Sequence, residues 1–287
     1  MVGLRIEDVD GPFGAEVIGL DPTAELDPDT CRELRRVFDE RGLLLFRNLQ
    51  ADHPFQVRLS EMLIGNDTGI PRGLDHSPDD TFYISNRREG AAAPFGRLPF
   101  HSDAMWSDDP PLVLSLAAVD VEAPATPTMF ASAVHAWTTL PPDLRSRVEP
   151  LSAVHIAGLV RRGDHPDDVL IPTFEQPPST VTPIRYSHPR TGRTLLQVCE
   201  QMTLEVDGLS LSDSESLLLE LFAHLYDPAT RWEHEWRNGD LVVWDNLAVH
   251  HARVNVPEDG PARTLRKYFS PVPALRKDQR PAYSKSE

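Results

Sequence analysis

Along the chain, apolar residues fall into short blocks broken by Gly, Pro and acidic residues, a spacing that favours many short strands with a few inserted helices. Residues 3–20, GLRIEDVDGPFGAEVIGL, read as two β-stretches around a Gly-Pro turn. In DTCRELRRVFDERG, Leu34, Val37 and Phe38 form a helical stripe, with Asp27 or Asp29 as the cap and Gly42 as the stop. GLLLFRNL and LVLSLAA then have the continuous apolar character of buried strands. TPTMFASAVHAWTTLPPDLRSRV reads as a strand feeding a helix that stops near Pro141. The clearest amphipathic helix is LSDSESLLLELFAHLYD, capped by Ser212 or Asp213, with Leu217, Leu218, Leu221, Phe222 and Leu225 on one side. TRWEHEWRNGDLVVWDN predicts two strands joined by the turn Arg237-Asn238-Gly239-Asp240, and RTLRKYFSPV a last strand. Residues 54–94 lack strong periodicity and read as loops with one short helix near Phe55 to Leu63, and residues 156–183 are again loop-rich. No repeat or composition break divides the chain, so residues 1–287 are expected to form a single domain.

Composition narrows the function classes. The chain is 40% hydrophobic and 25% charged, a globular profile, and no apolar run approaches the ~20 residues that span a bilayer. The N-terminus, MVGLRIEDVDG, carries no basic segment followed by an apolar one, so a cytoplasmic location is expected. Lys and Arg total 28 against 44 Asp and Glu, a net charge of −16, and no basic stripe is available to displace counterions from a nucleic acid. Cys31 and Cys199 stand far apart with no paired spacing, which points to free thiols rather than a disulfide framework or a zinc site. The partner expected is a small molecule; homo-oligomers are compatible with all of this.

Two stretches carry candidate chemistry. In LPFHSDAMW, His101 and Asp103 would face the same way on an extended segment, with Ser102 opposite. Imidazole and carboxylate on one side can bind one metal ion, and one distant histidine would complete a two-His, one-carboxylate face that leaves positions open for oxygen chemistry at Fe(II). WDNLAVHHAR offers two adjacent candidates, His250 and His251, whose side chains cannot both reach one pocket from an extended chain.

The ordered set GAEVIGLD, GLLLFRN, FHSDAMW, TPTMFASAVHAWTTLP, HPRTGRTLL, WEHEWRNGDLVVWDN and PARTLRKYF resembles the taurine dioxygenase (TauD/TfdA) family of Fe(II)- and 2-oxoglutarate-dependent oxygenases over nearly the whole chain. The resemblance implies a mainly β fold with flanking helices, built on a double-stranded β-helix or jelly-roll core. It implies that the metal ligands are His101, Asp103 and His251, the last counted through W-D-N-x-x-x-x-H, with His250 facing away or lining the pocket from the side. It further implies Thr128 and Arg263 as holders of the distal carboxylate of 2-oxoglutarate, with Arg266 the alternative if the register of PARTLRKYF is shifted. Strand alternation sets Arg263, Leu265 and Lys267 on one face and Thr264, Arg266 and Tyr268 on the other.

Lys267 matches a position where some relatives hold an anionic substrate with arginine; Arg97, Tyr83, Phe82 and Trp106 lie where the family contacts substrate. Asp245 and Asn246 are expected to fix the turn that presents His251. His76, His135, His155, His165, His188, His224 and His234 match no ligand position. The implied activity is oxidation, most simply hydroxylation, of a C–H bond with Fe(II), 2-oxoglutarate and O2, releasing succinate and CO2. Asp103 keeps the carboxylate that related halogenases replace. Two other classes share the ligand set: a zinc hydrolase, which would form no 2-oxoglutarate chromophore, and a non-catalytic binding protein, which would consume no oxygen.

Overall fold

The computed structural model describes residues 4–66, 82–160, 167–168 and 176–271; His76 and His165 lie outside them. The chain opens with β1 (Arg5–Asp8), β2 (Ala15–Ile18), α1 (Pro28–Arg41), β3 (Leu43–Phe46), α2 (His53–Leu63) and β4 (Phe82–Ser85). It continues through β5 (Gly96–His101), β6 (Val113–Val121), β7 (Thr128–Ser132), α3 (Ala133–Thr139), α4 (Pro142–Val148), β8 (Ser152–Ile156), β9 (Ser179–Pro183), β10 (Arg185–Ser187) and β11 (Thr194–Leu196). It closes with β12 (Thr203–Val206), α5 (Leu211–Leu225), β13 (Trp232–His234), β14 (Leu241–Asp245), β15 (Val249–Val256) and β16 (Arg263–Ser270).

A seven-stranded sheet, ordered β1-β2-β3-β14-β6-β16-β4, and a four-stranded sheet, ordered β13-β7-β15-β5, form the jelly-roll core. Alternation on the large sheet explains its apolar runs. Leu43 and Leu45 of β3, with Val242 and Trp244 of β14, enter the core shared with Phe130 of β7 and Val249 of β15. Leu44, Phe46, Leu241 and Val243 enter a second core against Leu34 and Phe38 of α1 and Phe55 and Leu59 of α2. A strand buried on both faces has no polar alternation to show. The Phe130 and Trp244 rings meet edge to face, with centroids 5.2 Å apart.

Local signals account for the helix ends. Asp27 caps α1 by accepting from the backbone of Asp29 and Thr30, and Gly42 closes it in the left-handed region at φ 74°. A Cβ at Gly42 would meet Val249 Cγ2 at 2.9 Å, so the helix stop and the strand bearing the candidate ligand are packed together. The helix after β7 ends at Thr139 and a separate α4 begins at Pro142, where proline starts a helix more easily than it continues one.

One expectation needs correction, and two are refined by the strand pairing. Ser210, not Ser212 or Asp213, caps α5, because the helix starts at Leu211, six residues before its apolar stripe begins at Leu217. The loop-rich segment 156–183 ends in β9, which pairs with β8; the residues of β9 alternate between exposed and half-buried, which leaves little apolar signal. The strands either side of Arg237–Asp240 do not pair with each other: β13 joins β7, whereas β14 crosses to β3 and β6 in the large sheet.

Candidate active site

β5 ends at His101, which lies opposite His251 of β15. Directly opposed residues on antiparallel strands share a face, and the two imidazole centroids are 4.1 Å apart. Asp103 comes from the turn beyond β5, not from the strand itself, so extended alternation is not what brings it beside His101. Ala104, at φ 54°, bends the chain sharply there. His101, Asp103 and His251 can each offer one donor atom, all within 4.8 Å of one another.

The donor chemistry fits a metal ion. His101 Nδ1 is 2.8 Å from Pro99 O, which can only accept, so Nδ1 carries a proton. In the neutral ring the Nε2 lone pair then meets Asp103 Oδ1 at 3.3 Å, an electron-rich pair that needs a shared cation. His251 Nε2 converges on the same oxygen from 3.8 Å, giving that cation a third donor. Burial, then the neighbouring His101, holds the His251 imidazole well below the usual histidine range, in the neutral form a metal requires. Burial would raise the Asp103 carboxyl, but the Lys267 ammonium beside it holds it well below the usual carboxylate range. Lys267 Nζ bonds Asp103 Oδ2, leaving Oδ1 facing the histidines.

The two motifs are locked together through Asn246. Its Oδ1 accepts from Asp103 N at 2.8 Å, and its Nδ2 donates to Asp103 O and Pro111 O, both at 2.9 Å. Ser102 Oγ donates to Asn246 O at 2.7 Å. Asp245 Oδ1 accepts from Leu247 N and Ala248 N at 3.1 Å each, which shapes the turn before β15. His188 Nδ1 accepts from Arg190 N and Thr191 N, so its Nε2 is protonated and donates to Asp245 at 3.0 Å. His250 points to the opposite side of β15, where Nδ1 lies 2.9 Å from Tyr226 Oη and desolvation lowers its pKa to about 3.

A cavity of about 60 Å³, lined by His101 and His251 of this trio, runs to an anion-seeking end. Thr128, at the start of β7, receives bonds from Arg263 Nη2 and Trp236 Nε1, both at 2.9 Å. Arg263 Nε donates to Thr126 O, also at 2.9 Å. Burial, and then the charge of Arg253, lowers the Arg263 guanidinium to about 9. Arg253 lines the same cavity, and burial lowers it to about 10. It was missed as a site residue, although its place two after His251 on a strand is a usable signal. Larger clefts, about 480 Å³ between α1 and α2 and about 610 Å³ beside α5, contain none of the donor trio, so donor chemistry rather than volume picks out the site.

The remaining expected residues divide. Lys267 lines the cavity. Arg266 does not: it bonds Gln56 Oε1 at 2.7 Å and Ala51 O at 2.6 Å on the α2 side of the large sheet, which corrects the alternative assignment. Tyr83 stacks under Arg88, and Phe82 is 43% exposed, with Lys267 Nζ 6.0 Å from its ring centroid. Arg97 pairs with Asp168 at 2.9 Å and opens on the α5 cleft, away from the trio. Trp106 packs on Met105, Cys199 and Met202 instead of entering the cavity.

A jelly-roll with two histidines and one carboxylate converging at a cationic cavity defines the class of mononuclear non-haem metal oxygenases. The chain belongs to the Taurine catabolism dioxygenase TauD, TfdA family, whose model matches residues 5–268. It is an enzyme of the α-ketoglutarate-dependent dioxygenase type, which uses Fe(II), 2-oxoglutarate and O2. It is 28% identical to the alpha-ketoglutarate-dependent 2,4-dichlorophenoxyacetate dioxygenase of Cupriavidus pinatubonensis, over 83% of this chain and 88% of that one. It is 26% identical to pentalenolactone F synthase of Streptomyces avermitilis, over 84% and 85%. The fold matches a taurine dioxygenase structure from Burkholderia xenovorans with TM-score 0.73 and 23% identity, covering 96% and 94%. Among the described residues, no helix is long and apolar enough to cross a membrane.

Proposed function

We propose that the enzyme hydroxylates an unactivated C–H bond of a small polar or anionic metabolite, with release of succinate and CO2. His101, Asp103 and His251 would hold Fe(II), and Arg263 with Thr128 would hold the distal carboxylate of 2-oxoglutarate. Bound metal and cosubstrate supply, with O2, the oxidative decarboxylation that makes an oxidant able to break a C–H bond. The chain's own part is to hold the carboxylate ligand by one oxygen and keep the His251 imidazole neutral.

The observation that carries the substrate class is charge. Arg253, Arg263 and Lys267 line the cavity with only Asp103 as their nearby acid among the described residues. One dicarboxylate cosubstrate and one metal ion leave the pocket cationic, which favours an anion. The named substrates of relatives, a phenoxyacetate and sulfate esters, support the same class. Lys267 is the candidate partner for the substrate anion, with Phe82 and Tyr83 on the neighbouring β4 as candidate walls. Desaturation, cyclisation or oxidative cleavage in natural-product biosynthesis is the second reading, favoured by the likeness to pentalenolactone F synthase. Anaerobic addition of Fe(II) and 2-oxoglutarate is expected to give a weak visible charge-transfer band; its absence with metal bound would sink the cofactor roles. A succinate-release screen across carboxylates, sulfonates and sulfate esters, with product mass analysis, then separates hydroxylation (+O) from desaturation (loss of two H).

A further inference from the structure

We propose that Arg253 is a second cosubstrate-binding group, forming with Arg263 a paired-guanidinium seat for the distal carboxylate of 2-oxoglutarate; this rests on the cosubstrate site proposed above. The placement follows from register. His251 lies opposite Phe130 and Ala252 opposite Met129, which brings the next residue of β15, Arg253, toward the Thr128 end of β7, and both line the same cavity. Thr128 is the residue whose hydroxyl receives Arg263 Nη2 from the facing sheet. Arg253 and Arg263 therefore line one cavity from different sheets, together with Thr128.

Neither cation has an acid partner among the described residues. Arg253 is only 3% exposed, yet among the described residues its side chain makes one hydrogen bond, Nη2 to Phe95 O at 2.8 Å, and its buried Nε has no partner. Arg263, 4% exposed, uses Nε and Nη2 on neutral oxygens. Like charges buried in one cavity repel, and a buried charge is tolerated when it is paired. A carboxylate between them satisfies both, since each planar fork presents donors in the geometry its two oxygens accept. Arg253 is thus a selectivity device, favouring a 2-oxo acid with a second carboxylate over one ending in methyl.

The test is equilibrium binding to the anaerobic Fe(II) protein, followed by calorimetry, with 2-oxoglutarate and with 2-oxovalerate, which replaces the distal carboxylate by methyl. Arg253→Gln should weaken 2-oxoglutarate about tenfold or more while changing 2-oxovalerate less than about twofold. Fe(II) affinity, measured separately, should stay as in the wild type. Wild-type affinity for 2-oxoglutarate in Arg253→Gln, or equal loss of both acids, overturns the proposal. Arg253→Lys keeps the charge without the fork and serves if the glutamine variant does not fold: selective loss of 2-oxoglutarate supports the proposal, and unchanged affinity overturns it. Failure of the Fe(II)-loaded wild type to bind 2-oxoglutarate at all overturns the cosubstrate site itself, an outcome distinct from any difference between variants.

Discussion

Replacing Asn246 by alanine should both destabilise the fold and loosen the metal site, and the size of each effect follows from its contacts. The side chain is fully buried and joins Asp103 N, Asp103 O and Pro111 O through three hydrogen bonds. At about 1 kcal/mol per bond, plus the penalty for buried backbone groups left without partners, the loss should be about 3–5 kcal/mol. That is a large part of the roughly 5–15 kcal/mol that separates folded from unfolded domains. The orientation of the amide is dictated by its partners: only an oxygen can meet the Asp103 N–H, and only the NH2 group can meet two carbonyls. Asn246→Asp keeps the acceptor but turns a carboxylate oxygen on both carbonyls, so it should be at least as damaging as alanine. Ser102→Ala removes the single bond to Asn246 O and should cost about 1 kcal/mol. Urea unfolding of the metal-free proteins measures the first effect. Titration with Co(II), followed by its visible bands, measures the second, where freeing the Asp103 turn should weaken binding about tenfold to a hundredfold. A loss below about 1 kcal/mol for Asn246→Ala, or unchanged Co(II) affinity, would refute the idea that this amide holds the two motifs in place.

The neighbouring histidines should separate cleanly. His251→Ala is expected to abolish Co(II) binding, whereas His250→Ala keeps it but loses about 2–4 kcal/mol in urea through the void beside Tyr226. Arg266→Ala should leave 2-oxoglutarate affinity within about twofold of the wild type and lower stability by about 1–3 kcal/mol, because its partners Gln56 Oε1 and Ala51 O belong to the packing of α2. A tenfold rise in the dissociation constant would return Arg266 to the site. His155 adds a pH signature. Desolvation lowers its pKa from 6.5 to about 4, so between those values the unfolded chain binds the proton more readily than the folded one. Its contribution is therefore complete above pH 6.5 and falls by about 1.4 kcal/mol per pH unit as pH drops toward 4. Urea unfolding from pH 7 to 4.5 should show that slope diminished in His155→Asn.

What was legible in the sequence was whatever a single element decides. The stripe of α1, its Asp27 cap and Gly42 stop need only neighbours in the chain, and the apolar runs of β3 and β14 state directly that both faces are covered. The face of β16 that carries Arg263 and Lys267 is likewise a matter of alternation, which turns Arg266 to α2. What was not legible depends on partners far along the chain. The turn at Arg237–Asp240 looks like a hairpin connection, yet the strands on either side pair with β7 in one sheet and with β3 and β6 in the other. β9 is half-covered and Thr-rich, so its pairing with β8 leaves no apolar mark. The site shows both kinds of dependence. Alternation separates His250 from His251, and it could have singled out Arg253 on the same face as His251; that this arginine shares a cavity with Thr128 and Arg263 depends on the packing of the two sheets. Asp103 is the opposite case: alternation suggested a neighbour for His101 for the wrong reason. The strand has already ended, and it is the Asn246 amide, contributed from a turn late in the chain, that holds the carboxylate beside the two histidines.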